Sequence, residues 1–227
     1  MEAGSGRSTD TGAAQASRAG VWGARLVTLV RWLLGLDYLI NGLNWFHKII
    51  TPYPSMSDFV AFHPPPDIVG ALIDNGILFP MAKATELITG LALLSDLFTP
   101  LALVMALTVT VPVFVVDALN PHSHVRALLM GTGAIAMNLF LLCAYFGHYR
   151  PLFEPRGAAL LDPTRASARS GGRVADQLAA VLRPVMPVFG VICALLGVAM
   201  LGWLVLMIVQ YAMNPLPISA VHHLTPR

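Results

Sequence analysis

The chain has 227 residues, of which 56% are hydrophobic and only 11% are charged, and its mean hydropathy is +0.69. This composition excludes an ordinary soluble domain, since such domains carry about 25% charged residues. The formal net charge of +2 is too small for a nucleic-acid surface, so we expect no nucleic-acid partner. Because the apolar residues form blocks of near-membrane length, we predict an all-α, polytopic membrane helical bundle in contact with the lipid bilayer.

The N-terminal segment differs from the rest of the chain in composition. Residues 1–24 are rich in Gly, Ser, Ala and Thr, and they lack a short apolar core followed by a cleavage site. We interpret them as a disordered cytoplasmic head, and we expect the first apolar helix to act as the membrane signal.

The first helix, predicted over Val27–His47, carries a polar stripe. At 100° per residue, Asp37, Asn41, Asn44 and Lys48 fall within about 60° of one another. A helix face of this polarity is not compatible with lipid. We therefore expect the stripe to face a protein interior or a hydrated cavity.

The second helix, predicted over Ile77–Leu97, carries Lys83 and Glu86 three residues apart. With a rise of about 1.5 Å per residue, Asp37 lies about 16 Å from the outer end of the first helix, and Lys83 and Glu86 lie about 9 and about 13 Å deep in the second. Each charge in a bilayer interior costs roughly 3 kcal/mol. We therefore expect Asp37 and Glu86 to flank Lys83 across the contact between the two helices.

Two further helices are predicted over Thr99–Ala118 and Val125–His148. The third helix has no charge before Asp117, which lies near its outer end and is the natural partner for Lys48. The fourth contains Asn138 as its one buried amide. The outer loop at 49–76 holds five prolines, which exclude a long regular element, and ends in a predicted short interfacial helix.

The C-terminal part adds a basic cytoplasmic linker at 149–183, a fifth helix at 184–211 and an outer tail at 212–227. The fifth helix is almost free of polar residues, so it suits contact with lipid or with other membrane subunits. Three glycines in it leave room for close helix contacts, at Gly190, Gly197 and Gly202.

The distribution of basic residues predicts the orientation. The head and the linker lie on the same side of a five-helix protein and hold most of the basic residues: Arg7, Arg18, Arg25, Arg150, Arg156, Arg165, Arg169, Arg173 and Arg183. The opposite side holds only Lys48, Arg126 and Arg227. The positive-inside rule then places the N-terminus in the cytoplasm and the C-terminus outside, in a bacterial-type inner (plasma) membrane. Arg31, about 120° off the polar stripe, is expected to snorkel to the cytoplasmic side.

Most of the histidines fall on the predicted outer side. Imidazoles from one face can converge on a metal ion, and the candidates are His47, His122 and His124. The spacing has no metal-site signature, so the interpretation that these histidines lie at a polar boundary is favoured over a metal site.

The stretch RWLLGLDYLINGLNWFHK, followed by KATELITGLALLSDLFTPLA, resembles the DoxX family of small membrane proteins. The resemblance covers residues 25–148 and rests on Arg31, Gly35, Gly42, Lys48, Glu86, Gly90, Leu94 and the Phe98–Thr99 turn. It implies a four-helix bundle associated with quinone-linked or thiol redox systems, since the family name comes from the small subunit of a terminal quinol oxidase. The long first loop, the basic linker and the fifth helix depart from the family pattern and favour a docking role.

Several functions remain open at this point. The candidate polar cavity comprises Asp37, Asn41, Asn44, Lys48, Lys83, Glu86 and Asp117. These residues either fix the register of the helices or line a site for a polar ligand, a quinone headgroup or a proton path. The chain is then either an accessory subunit of a quinone-linked or respiratory redox complex, or a membrane oxidoreductase or small-molecule carrier. No catalytic residue is assigned.

Overall fold

The computed structural model describes residues 8–47, 72, 75–119, 125–153 and 173–213, and the regular structure in these ranges is helical. Five helices contain a segment that is long and apolar enough to cross a membrane. They are α1 (Ser8–His47), α2 (Leu78–Ser95), α3 (Thr99–Ala118), α4 (Val125–Ala144) and α5 (Arg173–Met213). A one-turn helix, Phe146–Tyr149, and a 3-10 turn, Arg150–Phe153, follow α4. The prediction of an all-α membrane bundle with five long helices is confirmed.

The first four helices form a ring in which each helix packs against its neighbours. α1 packs against α2 and α4, and α3 packs against the same two helices. α5 lies outside this ring, along α1 and α4. The centre of the ring therefore collects one face from each of the first four helices.

Two helices begin earlier than the sequence predicts. α1 begins at Ser8 rather than Val27, and α5 begins at Arg173 rather than Pro184. The residues before Pro184 are mostly good helix formers. Proline normally interrupts a helix, because it has no N–H group to donate to the carbonyl four residues earlier. Within a membrane bundle, neighbouring groups can satisfy that carbonyl. Pro184 and Pro187 therefore lie inside α5 instead of marking its start.

Glycines bring the backbones of α1 and α2 into close contact. A Cβ atom built on Gly90 would lie 2.6 Å from the backbone nitrogen of Leu39 and 2.9 Å from the backbone oxygen of Gly35. One built on Gly42 would lie 2.9 Å from the backbone nitrogen of Leu87. Because these positions have no room for a side chain, the α1–α2 distance depends on glycine.

α5 has a packed face and an exposed apolar face. A Cβ on Gly190 would meet the ring of Phe140, and one on Gly197 would lie 2.8 Å from the sulfur of Met137, whereas Gly202 has no atom within 4 Å. The exposed face is lined by large aliphatic residues, among them Val185, Val188, Val191, Ile192, Leu195 and Val198. Such a face is suited to the hydrocarbon region of a bilayer.

Candidate functional site

The centre of the site is an ion pair on α2. The ammonium of Lys83 donates to both carboxylate oxygens of Glu86, at 3.0 Å to Oε1 and 2.8 Å to Oε2. Both side chains are buried. Lys83 Nζ also lies 5.4 Å from the ring centroid of Phe79, which packs edge-on against Trp45 of α1 at 4.7 Å. This aromatic pair lies toward the end of the bundle where α1 ends and α2 begins, called the His47 end below.

A second buried carboxyl group approaches this pair from α1. Asp37 is 4% exposed, and its carboxyl lies within electrostatic range of Lys83 and Glu86. The amide of Asn41 donates to the backbone oxygen of Asp37 at 2.9 Å and to its Oδ1 at 3.1 Å. Lys83 thus binds the carboxylate on its own helix, while Asp37 is hydrogen-bonded by an amide one turn away on α1. Asn44 is buried one turn further along the same stripe.

A third carboxyl group comes from α3. Asp117 lies within electrostatic range of both Lys83 and Glu86. It packs against α4, because a Cβ on Gly131 would lie 2.8 Å from the Asp117 Cβ. Lys48, its predicted partner, lies outside the described residues. Five side chains from three helices therefore form one group, here called the charge cluster: Asp37, Asn41, Lys83, Glu86 and Asp117.

A neutral hydrogen-bond network lies beside the charge cluster. The phenol of Tyr38, next to Asp37 in the chain, shares a hydrogen bond with the hydroxyl of Thr110 on α3. Thr110 Oγ1 in turn donates to the backbone oxygen of Ala106 at 2.7 Å. The amide of Asn138 on α4 donates to Thr110 Oγ1 at 3.5 Å. We call Tyr38, Thr110 and Asn138 the polar core; the sequence alone pointed only to Asn138.

A layer of aliphatic side chains closes the centre of the bundle beyond the polar core. Its four members belong to one buried hydrophobic group and have no exposed surface: Leu34, Leu93, Leu103 and Leu141. Each lies on its own helix between the polar core and the end of the bundle where α2 turns into α3, and together they form the leucine layer. The charge cluster is thus separated from that end of the bundle by apolar packing.

A further polar contact lies on the other side of the leucine layer. Arg31 of α1 pairs through Nη1 with Asp96 Oδ1, and Thr99 Oγ1 donates to the same oxygen at 2.9 Å. Asp96 lies in the turn between α2 and α3, where its φ is +58° and that of Phe98 is +52°. The expectation that Arg31 snorkels to water is wrong. Its guanidinium is buried against Asp96, since the turn between α2 and α3 brings a carboxylate beside the middle of α1.

The comparison with protein families gives one match. The model of the DoxX family matches residues 26–118. This segment is similar to the DoxX family, and it is called the DoxX domain below.

The DoxX domain comprises most of α1 together with α2 and α3, so it contains all five members of the charge cluster. The resemblance seen in the sequence extends to residue 148, whereas the match ends with α3. α4, which supplies Asn138 to the polar core, and α5 therefore lie beyond the matched segment. Comparisons with curated proteins and with solved structures gave no match.

The described residues do not form a metal site. Within these ranges no group of three His, Cys, Asp or Glu side chains could hold a metal ion. His122 and His124 lie outside the described residues, and so does the side chain of His47. These three histidines therefore stay the less favoured candidate for a metal site.

Proposed function

We propose that the charge cluster of the DoxX domain binds the polar headgroup of a small membrane-borne molecule such as a quinone. The observation that carries this proposal is the convergence of one ammonium and three carboxyl groups from α1, α2 and α3 inside an apolar bundle. Each such charge costs roughly 3 kcal/mol in a membrane interior. Intramembrane ionisable residues of this kind commonly mark binding sites and transport paths.

The packing of α1 against α2 favours a binding role for the charge cluster over a purely architectural one. The α1–α2 contact already rests on the close approach at Gly42 and Gly90.

The leucine layer favours a binding site over a conducting path. It interrupts the line of polar groups between the charge cluster and the Arg31–Asp96 pair. A proton or ion path through the bundle would need polar groups or water at that level. We therefore propose that the ligand enters from the His47 end or from the lipid phase beside it.

The test measures ligand binding to the full chain in lipid nanodiscs by titration calorimetry, with short-chain quinones and their reduced forms as probes. We expect Glu86→Gln to weaken binding by about tenfold or more, because a charge-assisted hydrogen bond contributes about 1.5–3 kcal/mol. The control is Asp176→Asn, the same chemical change in an exposed ion pair with Arg150. Wild-type affinity in Glu86→Gln would show that the charge cluster is structural.

A second candidate function is suggested by the chain beyond the DoxX domain. We propose that the protein is an accessory subunit of a quinone-linked or respiratory redox complex in a bacterial-type inner membrane, with its N-terminus cytoplasmic and its C-terminus outside. The exposed aliphatic face of α5 supports this proposal, since it can contact another apolar subunit as well as lipid. Purification in mild detergent tests it: a redox subunit is expected to co-purify, and a lone monomer would contradict it.

A further inference from the structure

The hydrogen-bond directions in the polar core follow from a proton count at Thr110. A hydroxyl group has one proton and two acceptor positions. Thr110 uses its proton on the backbone oxygen of Ala106, at 2.7 Å. It must therefore accept from Tyr38 and from Asn138, so the phenol proton of Tyr38 points at Thr110. The phenol oxygen of Tyr38 in turn accepts a hydrogen bond from the Asn138 amide.

The same count fixes the orientation of the Asn138 amide. If the amide were reversed, its Oδ1 would face the acceptor side of Thr110, and no proton would lie between the two oxygens. Nδ2 is therefore the group that faces Thr110, and Oδ1 faces away from it. Because the amide nitrogen also donates to Tyr38 Oη, the acceptor of this pair that is left without a donor is Asn138 Oδ1.

Asn138 Oδ1 lacks a donor. The residue is 0% exposed, and within the part of the chain that the structure describes this oxygen has no hydrogen-bond partner. Buried polar atoms are nearly always paired, because an unpaired one loses its hydration without compensation. Thr89 Oγ1 on α2 is a second such atom, in a residue that is 1% exposed and lies one turn beyond Glu86. Unpaired polar atoms thus occur on two sides of the bundle centre, next to the charge cluster.

We propose that Asn138 Oδ1 forms a subsite that accepts a hydrogen bond from a hydroxyl group of the ligand, with the amide held in place by its hydrogen bonds to Thr110 and Tyr38. The ligand class is a hydroxyl-bearing ring such as a hydroquinone, bound in preference to the same ring carrying only carbonyl oxygens. A carbonyl oxygen cannot donate, so it would face Asn138 Oδ1 acceptor to acceptor. A hydroxyl supplies the missing proton. This inference rests on the proposed function, and it adds which redox state of the ligand the site prefers.

Thr89 and the charge cluster do not provide this preference. A threonine hydroxyl can donate or accept, and Lys83 can donate to a carbonyl or to a hydroxyl oxygen. Discrimination between the two redox states therefore depends on Asn138 Oδ1 in the polar core.

The experiment compares the dissociation constants of a short-chain hydroquinone and of its quinone, measured anaerobically on the full chain in nanodiscs. We expect the wild type to bind the hydroquinone about tenfold more tightly than the quinone. The hydroquinone gains a hydrogen bond at this position, whereas the quinone would place two acceptors against each other. Asn138→Leu is expected to abolish this preference, because it removes the acceptor for the hydroquinone hydroxyl and also relieves the repulsion of the quinone carbonyl. Tyr38→Phe, which keeps the ring, is expected to reduce the preference and serves as the deciding variant if Asn138→Leu does not fold.

The matched control is Thr108→Val on α3. Its hydroxyl is exposed and donates to the backbone oxygen of Met105 in its own helix at 2.7 Å, so the preference should be retained. Equal affinity of the wild type for both redox forms, with binding still sensitive to Glu86→Gln, would overturn this inference and leave the proposed function standing. It would mean that Asn138 Oδ1 is satisfied by water. If neither the quinone nor the hydroquinone binds, both this inference and the proposed function are overturned.

Discussion

At the scale of single residues, the buried polar groups fall into two kinds of contact. Within the charge cluster, Lys83 bonds to Glu86 and Asn41 bonds to Asp37, in each case along one helix. The Arg31–Asp96 pair instead joins α1 to the turn after α2. Substitutions in the first kind of contact should change the charge balance of the site. Substitutions in the second kind should change how the helices are held together.

The Lys83–Glu86 pair should show strong coupling. Lys83→Met leaves the Glu86 carboxylate without its ammonium, so a buried charge remains uncompensated. We therefore expect the free energy of unfolding to fall by about 3–5 kcal/mol. The double variant Lys83→Met/Glu86→Gln should recover most of this loss. Thermal unfolding in detergent measures both. A double variant no more stable than Lys83→Met would contradict the expected coupling.

The Arg31–Asp96 pair should respond asymmetrically. The Arg31 side chain is 9% exposed and that of Asp96 is 58% exposed. Asp96→Gly suits the left-handed backbone but leaves a buried guanidinium without its carboxylate, whereas Arg31→Met leaves only an exposed carboxylate. Asp96→Gly should therefore lower the free energy of unfolding by about 1–3 kcal/mol more than Arg31→Met does. The measurement is the difference in unfolding free energy between the two variants. Equal losses would mean that the pair acts only through its mutual attraction.

Sequence reasoning reached part of this residue-level arrangement. Depth matching at a constant rise per residue predicted that Asp37 and Glu86 approach Lys83 across the α1–α2 contact, because it needs only that the two helices are antiparallel neighbours. It could not find the contacts of Tyr38 with Thr110 and Asn138. Those depend on how α3 and α4 are rotated about their axes, and hydroxyl groups on apolar helices carry no distinctive spacing.

At the scale of helices, the position of α2 against α1 depends on glycine. Gly90→Ala should place a Cβ atom against the Leu39 backbone, where 2.6 Å is available. We expect it to lower the unfolding free energy by about 1–3 kcal/mol, as overpacking does. The matched control is Gly202→Ala on α5, where no atom lies within 4 Å, and it should have no such effect. Equal stability of the two variants would show that α1 and α2 separate without cost.

The helix ends were harder to predict than the helices themselves. Hydropathy locates the membrane-spanning part of each helix, because lipid requires an uninterrupted apolar segment. It gives no signal for helical turns that continue into polar sequence, as α1 does from Ser8 and α5 does from Arg173. Pro184 and Pro187 were a misleading signal for the start of α5. In a sequence proline usually marks a helix boundary, but here the packed helix continues through both prolines.

At the scale of the whole molecule, the DoxX domain supplies three sides of the bundle centre and α4 supplies the fourth. α5 then covers the outside of α1 and α4. In this arrangement the charge cluster lies within the matched family segment, whereas the acceptor of the polar core comes from outside it. The proposed ligand site therefore combines residues of the matched segment with one contributed by the rest of this chain.

The orientation of the whole bundle can be tested with single cysteines in a parent that carries Cys143→Ala and Cys193→Ala. Ile77→Cys, exposed at the start of α2, should react with a membrane-impermeant maleimide on intact cells. Arg150→Cys, exposed after α4, should react only after the membrane is permeabilised. The reason is the positive-inside rule, which retains the arginine-rich side in the cytoplasm. The opposite labelling pattern would reverse the proposed topology.

The charge cluster can be a binding site only if a molecule occupies the centre of the bundle. A high-resolution density map of the protein isolated from its native membrane would answer this. We predict non-protein density in contact with Lys83 and Glu86, extending to Asn138 Oδ1. Side chains packed directly against one another at that position, or isolated waters alone, would contradict the proposal that the charge cluster binds a ligand.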